Sequence, residues 1–268
     1  MKTTAIIPIY NDSNLIQKCL ESLFVSLEEY PKEYVPDIIV IDDGSPDEKK
    51  KEAARKYCEE KGVKFIAKEE NTGFSNTINT AAAFSDPESH ILLINNDIEF
   101  VNDNWLYNML QMLDQENVGI VGAKLLYPNG LIQHAGVYFS IIQNIPFHRF
   151  HYAPGNLACS NKALVCPVTG ALQFIRRELW NRIGGLDERY KMAFEDVDFG
   201  MRAMSNGVLS VYHPGVIAIH HEGETRGDGA LKKPPSRKIQ NWTNEAYGLF
   251  VRTWSVHPLS SRFRYNNV

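Results

Sequence analysis

The chain has 268 residues, of which 44% are hydrophobic and 22% charged, with a formal net charge of −4. This suits one large α/β domain or two small ones. It excludes an overall basic field for nucleic acid, and no apolar run approaches the roughly 20 residues needed to cross a bilayer.

The charge is uneven. Residues 224–268 hold eight Lys or Arg against three Asp or Glu, so the preceding 223 residues carry −9. This basic tail reads as solvated surface, with contact to an anionic acceptor or a membrane surface as the alternative. Cys19, Cys58, Cys159 and Cys166 lack CxxC spacing and read as reduced thiols. The opening apolar run is too short for a signal peptide. The expected location is the cytoplasm, with peripheral contact at the inner face of the membrane left open.

In chain order, Thr3 to Ile9 predicts a strand, and Asn11, Asp12 and Ser13 supply turn and cap chemistry. Leu15, Cys19, Leu23 and Leu27, beside Ile16, Leu20 and Phe24, form a wide apolar helix stripe. Ile38 to Ile41 is a buried strand ending in Asp42-Asp43-Gly44-Ser45. A charged helix over 47–61 stops at Gly62, Val63 to Ala67 is a strand, and Ser75 to Phe84 is a helix. His90 to Asp97 reads as a strand buried on both faces. This alternation argues a parallel sheet with right-handed crossovers.

A helix follows over Trp105 to Leu113, then a strand over Val118 to Ala123. Residues 131–168 read as irregular with an antiparallel ribbon. Then come a strand (170–176), a helix (177–183), a helix (195–206), two short strands (208–212 and 216–219), a mobile Gly/Pro/Lys-rich loop (224–235) and a last helix (236–254). The expected organisation is a domain over 1–223, with a nucleotide-binding half (1–123) and an acceptor and catalytic half (124–223). Residues 224–268 form a loop, helix and tail.

Ligands of open α/β sheets bind beyond the carboxyl ends of the strands. Asp43 and Asp97 therefore fall on one edge, where Asp97 is either a ligand contact or a turn and cap residue. Glu195, Asp196 and Asp198 crowd three carboxylates into one predicted helix start. The macrodipole there offsets part of their repulsion, and the third suggests a base near a polar substrate. His220 and His221 end a strand and face opposite sides, so at most one serves a given site. One Asp, one imidazole and phosphate oxygens would suit Mn²⁺ or Mg²⁺. The absence of GxxxxGK[ST] and GxGxxG removes support for Walker-type and dinucleotide binding.

Taken in order, Ile7-Pro8-Ile9-Tyr10-Asn11, Ile41-Asp42-Asp43-Gly44-Ser45, Asn95-Asn96-Asp97, Gly184-Gly185-Leu186-Asp187-Glu188 and Phe194-Glu195-Asp196-Val197-Asp198 resemble inverting family 2 glycosyltransferases. The resemblance runs from about Thr3 to about Thr225. It implies a GT-A fold: a Rossmann-like, mostly parallel sheet flanked by helices, with a small antiparallel ribbon and a helical C-terminal tail. It also implies a nucleoside-diphosphate sugar donor, a glycan or lipid-linked glycan acceptor, and Mn²⁺ or Mg²⁺. Gly130-Leu131-Ile132-Gln133-His134-Ala135-Gly136 and the His220-His221-Glu222 run further resemble rhamnosyl and other hexosyl transferases that build surface polysaccharides.

The resemblance assigns Pro8, Tyr10 and Asp43 to the nucleoside, and Asn71, Gly73 and Asn76 to the segment closing over base and ribose. Asn96 joins the nucleotide-sugar side, and Thr169, Gly170 and Ala171 form the donor-sugar floor. Asp97 and His220 become metal contacts, Asp196 the general base, and Asp187, Glu195 and Trp254 the acceptor side. The expected reaction is a single displacement with inversion, needing no nucleophilic cysteine. Because Asn95-Asn96-Asp97 has one carboxylate where the family has two, His220 and the phosphates must complete the cation's coordination. His134, His148 and His151 read as polar loop or acceptor-side residues, and Trp105, Trp180 and Trp242 as packing. The competing functions are a nucleotidyltransferase and a catalytically inactive nucleotide-sugar-binding module.

Overall fold

The computed structural model describes residues 1–140, 142–143, 145–221 and 236–265, so the loop expected at 224–235 lies outside the described residues. The first seven elements follow the expected alternation: β1 (Thr3–Ile9), α1 (Asn14–Leu27), β2 (Asp37–Asp42), α2 (Glu48–Glu60), β3 (Lys64–Ala67), α3 (Phe74–Ala83) and β4 (His90–Ile94). Local chemistry fixes the helix starts. Asp12 accepts the N–H groups of Asn14, Leu15 and Ile16, and Asp47 those of Lys49 and Lys50.

The chain continues through β5 (Ile98–Phe100), α4 (Trp105–Leu113), β6 (Val118–Leu126), β7 (Ile132–His134), β8 (Val137–Ser140), β9 (Pro146–His148), β10 (Leu164–Val165) and β11 (Leu172–Ile175). It ends with α5 (Arg177–Ile183), α6 (Glu195–Ser205), β12 (Leu209–His220), α7 (Arg237–Trp254) and β13 (Arg264–Tyr265). No helix among the described residues is long and apolar enough to cross a membrane.

The main sheet runs β10-β12-β6-β11-β4-β1-β2-β3, with β5 on β12 and β7 on β6. The pairs β1–β2, β1–β4, β2–β3 and β6–β12 are parallel, while β11 runs antiparallel between β4 and β6. The small sheet orders β13-β8-β9, with β8 and β9 antiparallel as the expected ribbon and β13 parallel to β8.

Two sequence expectations change. The short strands expected at 208–212 and 216–219 are one strand, β12, which passes Pro214-Gly215 with a register shift between His213 and Ile217. Pairing with β6 on both sides of the irregularity carries the strand through. In addition, Ile98–Phe100, which went unread, forms β5 against β12.

Strand alternation splits the core across the sheet. Ala5, Ile7, Ile9, Leu92 and Ile94 pack with α1 and α4 on one face. Ile6, Ile39, Ile41, Ile91 and Leu93 pack with α3, α5 and α6 on the other. Each such aliphatic contributes roughly 1.5–3 kcal/mol when fully buried, so slipping a strand by one residue would disturb both layers at once. A third cluster, with Phe139, Tyr190, Met201, Phe250 and Trp254, seats α7.

Candidate active site

Strand direction assembles the site. The parallel strands β1, β2 and β4 present Ile9, Asp42 and Ile94 at one edge. Antiparallel β11 begins at that edge, where the Asn95 N–H donates to the Ala171 carbonyl (2.8 Å). β12 ends there, with His220 registered opposite Ile98 of β5. Segments from positions 8, 43, 97, 170 and 220 thereby meet around two adjoining cavities, of ≈ 350 and ≈ 180 Å³, that share Phe74, Asn95 and His220.

The larger cavity is a crevice lined by Pro8, Tyr10, Asp43, Asn71, Gly73, Asn96 and Asp97 on the sheet side, with Met192, Ser236, Ile239 and Trp242 opposite. Asp43 shapes its floor. One carboxylate oxygen accepts from Lys68 Nζ (2.9 Å) and the Thr72 N–H (3.0 Å), the other from the Gly73 N–H (3.0 Å). Lys68, unread in the sequence, also reaches Thr72, Asn76 and Thr77. Gly73 has φ +97°, and a Cβ there would lie 2.5 Å from the Lys191 carbonyl oxygen, so only glycine allows this approach. Asn76 lies outside the lining: its amide oxygen accepts from Lys68 and Thr72, and its nitrogen donates to Glu188. Asn96 donates to Asp12, the cap of α1 (3.0 Å), which ties the ends of β1 and β4 together.

His220 Nε2 stands 3.0 Å from Asp97 Oδ1, and both side chains are buried. Its other ring nitrogen, Nδ1, meets Gln133 Oε1 at 2.7 Å. His221 turns the other way, to Glu99 at 2.8 Å. The two histidines thus face opposite sides, as strand geometry requires.

The smaller cavity holds the acidic helix start. Asp196 Oδ2 accepts the Gly170 N–H (2.8 Å), and Oδ1 accepts the Val197 N–H (2.7 Å). Glu195, Thr169, Gly170, Phe147 and His148 line the same space. Ala193 and Phe194, just before α6, both adopt left-handed backbone, at φ +69° and +68°. Such residues cost of order 1–3 kcal/mol and persist only where surrounding packing holds them. Here the Phe194 ring sits 5.1 Å from Phe250 and 6.2 Å from Tyr247, centre to centre.

His134 is fully buried beside this cavity, and its Nε2 accepts the Thr169 N–H (3.3 Å). Its Nδ1 meets His148 Nδ1 at 2.6 Å. Burial, then the neighbouring His148 and His220, drive its pKa well below the usual imidazole value.

Three sequence assignments move. Trp254 lines neither cavity: it is buried in the third cluster and donates to Asp198 Oδ1 (2.8 Å), while Arg202 holds Oδ2 (2.7 Å). Asp187 is taken by Arg189, whose ion pair lowers its pKa, and it too lies outside both cavities. Trp242, read as packing, forms a crevice wall with Lys238 and Lys191 ammonium groups 4.4 and 5.5 Å from its ring centre. Trp105 and Trp180 do pack in the core. All four cysteines are free. Burial pushes Cys58 up to about 12 and Cys166 to about 11, far from a reactive thiolate.

A nucleotide-sized crevice at the carboxyl edge of a mostly parallel sheet, with an antiparallel strand between β4 and β6, is a GT-A arrangement. The structure aligns with the mannosyltransferase PcManGT of Pyrobaculum calidifontis in complex with GDP-Man and Mn²⁺ at a TM-score of 0.60 and 19% identity, over 97% of this chain and 73% of that one. It aligns with GalNAc-T7 in complex with UDP, GalNAc and Mn²⁺ at 0.68 and 15%, over 92% of this chain and 48% of that one. In sequence, the chain is 34% identical over 161 residues to the O-antigen biosynthesis protein RfbC of Myxococcus xanthus, 58% of this chain and 12% of that protein. It spans about a fifth or less of the length of the first curated relatives it matches. Residues 4–177 match Glycosyl transferase family 2, and the chain belongs to that family.

Proposed function

We propose that the protein is a divalent-cation-dependent inverting glycosyltransferase. It moves a sugar from a nucleoside-diphosphate sugar to a hydroxyl of a glycan or lipid-linked glycan, in the synthesis of a surface polysaccharide. One observation carries this reading: the Asp97–His220 pair opens on both the nucleotide-sized crevice and, through His220, the cavity that holds Asp196. RfbC supports the polysaccharide context by its name, and the nucleotide and Mn²⁺ complexes of the structural neighbours support the donor class.

The donor set fits a hard or borderline cation. A carboxylate oxygen and an imidazole nitrogen converge at 3.0 Å, and among the described residues no three His, Cys, Asp or Glu side chains gather to hold a metal. A cation held by one carboxylate and one imidazole leaves positions for substrate phosphates and water, as Mg²⁺ and Mn²⁺ sites commonly do. When bound, such an ion neutralises charge developing on the leaving diphosphate.

The chain's own residues do the rest. Pro8, Tyr10, Asn71 and Trp242 enclose the nucleoside. Asp43, braced by Lys68, holds the 68–73 loop against it. The Thr169–Ala171 turn supports the sugar, and Asp196, fixed by the Gly170 N–H, takes the acceptor hydroxyl proton as that oxygen attacks the anomeric carbon from the face opposite the diphosphate. Glu195 borders the acceptor's approach.

A panel of UDP-, dTDP- and GDP-sugars with Mn²⁺ tests the reading by thermal shift and by nucleoside-diphosphate release. One base class should stabilise the protein with the logarithm of ligand over Kd once ligand exceeds Kd, and chelator should remove both signals. Full turnover in chelator would sink the cation; no shift with any nucleotide sugar would sink the donor.

A further inference from the structure

Gln133 has no role in the reading above beyond lining the smaller cavity. It is 4% exposed, on the short strand β7 beside β6. An amide buried this deeply costs free energy unless it is hydrogen-bonded, so its polar group calls for a partner. That partner is His220, whose Nδ1 lies 2.7 Å from the Gln133 amide oxygen. An imidazole at a strand end can turn about its Cβ–Cγ bond and present either edge. An acceptor oxygen at Nδ1 removes that freedom and leaves Nε2 facing Asp97 Oδ1 at 3.0 Å. The neighbouring His221 has a different partner: it pairs with Glu99, and both are substantially exposed.

We infer that Gln133 is a positioning residue for His220, and through it sets the divalent-cation affinity of the crevice. This rests on the reading of Asp97 and His220 as the cation's ligands. Histidine ligands of metals generally donate their second ring N–H to a carboxylate, carbonyl or water, which fixes tautomer and ring orientation; loss of that partner typically weakens metal binding 10–100-fold. The amide oxygen of Gln133 is such an acceptor. It reaches His220 from 87 positions away, because β7 and β12 flank the same strand, β6.

The experiment has two readouts. Free Mn²⁺ is titrated by electron paramagnetic resonance with UDP, dTDP or GDP present, for wild type, Gln133→Leu, Gln133→Glu, Asp97→Asn and His220→Ala. The exchange-protected Nδ1 proton of His220 is followed by NMR in metal-free protein. Gln133→Leu is expected to weaken Mn²⁺ roughly 10–100-fold and to lose the protected proton, whereas Gln133→Glu, which keeps an acceptor, retains both. If Asp97→Asn loses Mn²⁺ while Gln133→Leu binds it as wild type does, Gln133 only fills space and the inference is overturned. If neither Asp97→Asn nor His220→Ala weakens Mn²⁺, the ligand assignment falls instead. Should Gln133→Leu fail to fold, wild type decides alone: absence of a protected Nδ1 proton overturns the inference.

Discussion

The backbone N–H of Gly170 donates to Asp196 Oδ2 across 2.8 Å, joining the turn before β11 to the first turn of α6. The contact is close because residue 170 has no side chain: a Cβ there would lie 3.2 Å from the Asp196 Cβ. The carboxylate is therefore oriented by backbone, which cannot swing away, and both of its oxygens have a fixed N–H donor. Asp196→Asn keeps an oxygen for Gly170 but cannot take a proton. Transfer should fall by about 10²–10⁴-fold, the usual share of general-base catalysis, while nucleotide binding measured by calorimetry stays within about twofold of wild type. Near-normal turnover in this variant would remove Asp196 as the base.

Lys68 and Asp43 form an ion pair in which both side chains are about one-tenth exposed (12% and 10%). Removing one partner of such a pair leaves the other charge poorly compensated, at a cost of about 3 kcal/mol. Lys68→Met should lower unfolding free energy by that order in urea titration and weaken nucleotide binding, since the 68–73 loop loses its brace. Adding Asp43→Asn to Lys68→Met should restore part of the stability. An additive double mutant would mean that the pair does not couple.

His134 supplies a pH dependence. Its folded pKa lies well below the usual value of 6.5, chiefly through burial. The unfolded chain therefore takes up a proton near pH 6.5 that the folded chain refuses. This stability is fully present above about pH 6.5 and is lost as pH falls towards the folded value, with a limiting slope of about 1.4 kcal/mol per pH unit. Melting temperature should decline from pH 7 to 5.5 in wild type and decline less steeply in His134→Gln. Parallel pH profiles for the two proteins would assign the loss to other groups.

Trp254 stabilises the fold by donating to the buried Asp198. Trp254→Phe leaves that acceptor short of a donor, at a cost of about 1–3 kcal/mol, measurable by denaturant unfolding. The Michaelis constant for acceptor should be unchanged. A selective rise in that constant without loss of stability would return Trp254 to the acceptor side.

The shared sheet edge was legible because three buried strands each run into a polar turn, at Tyr10, Asp43 and Asn95–Asp97, and parallel strands must bring those turns together. Lys68 and Gln133 were not legible. Their partners lie 25 and 87 positions away, and nothing local marks a lysine or glutamine whose hydrogen-bond partner arrives from another element. Trp242 is buried as expected but also borders the crevice, because apolar spacing identifies the inward face of a helix and not whether that face meets core or cavity. Trp254, on the same helix, was expected at the acceptor side and instead packs in the third cluster. The orientation of β11 escaped as well, since an apolar run carries no information on strand direction, yet that reversal is what delivers Gly170 to the site.

The last described α-helix has a consequence for how the crevice is assembled. α7 supplies Ile239 and Trp242 to the crevice, props Phe194 through Tyr247 and Phe250, and ties down Asp198 through Trp254. Every strand of the main sheet, with Asp43, Asp97, Asp196 and His220, precedes α7 in the chain. The acidic groups and the histidine of the crevice thus come from one part of the chain, and Ile239 and Trp242 from another. A cut in the chain ahead of α7 should therefore open the crevice without removing any of those four side chains.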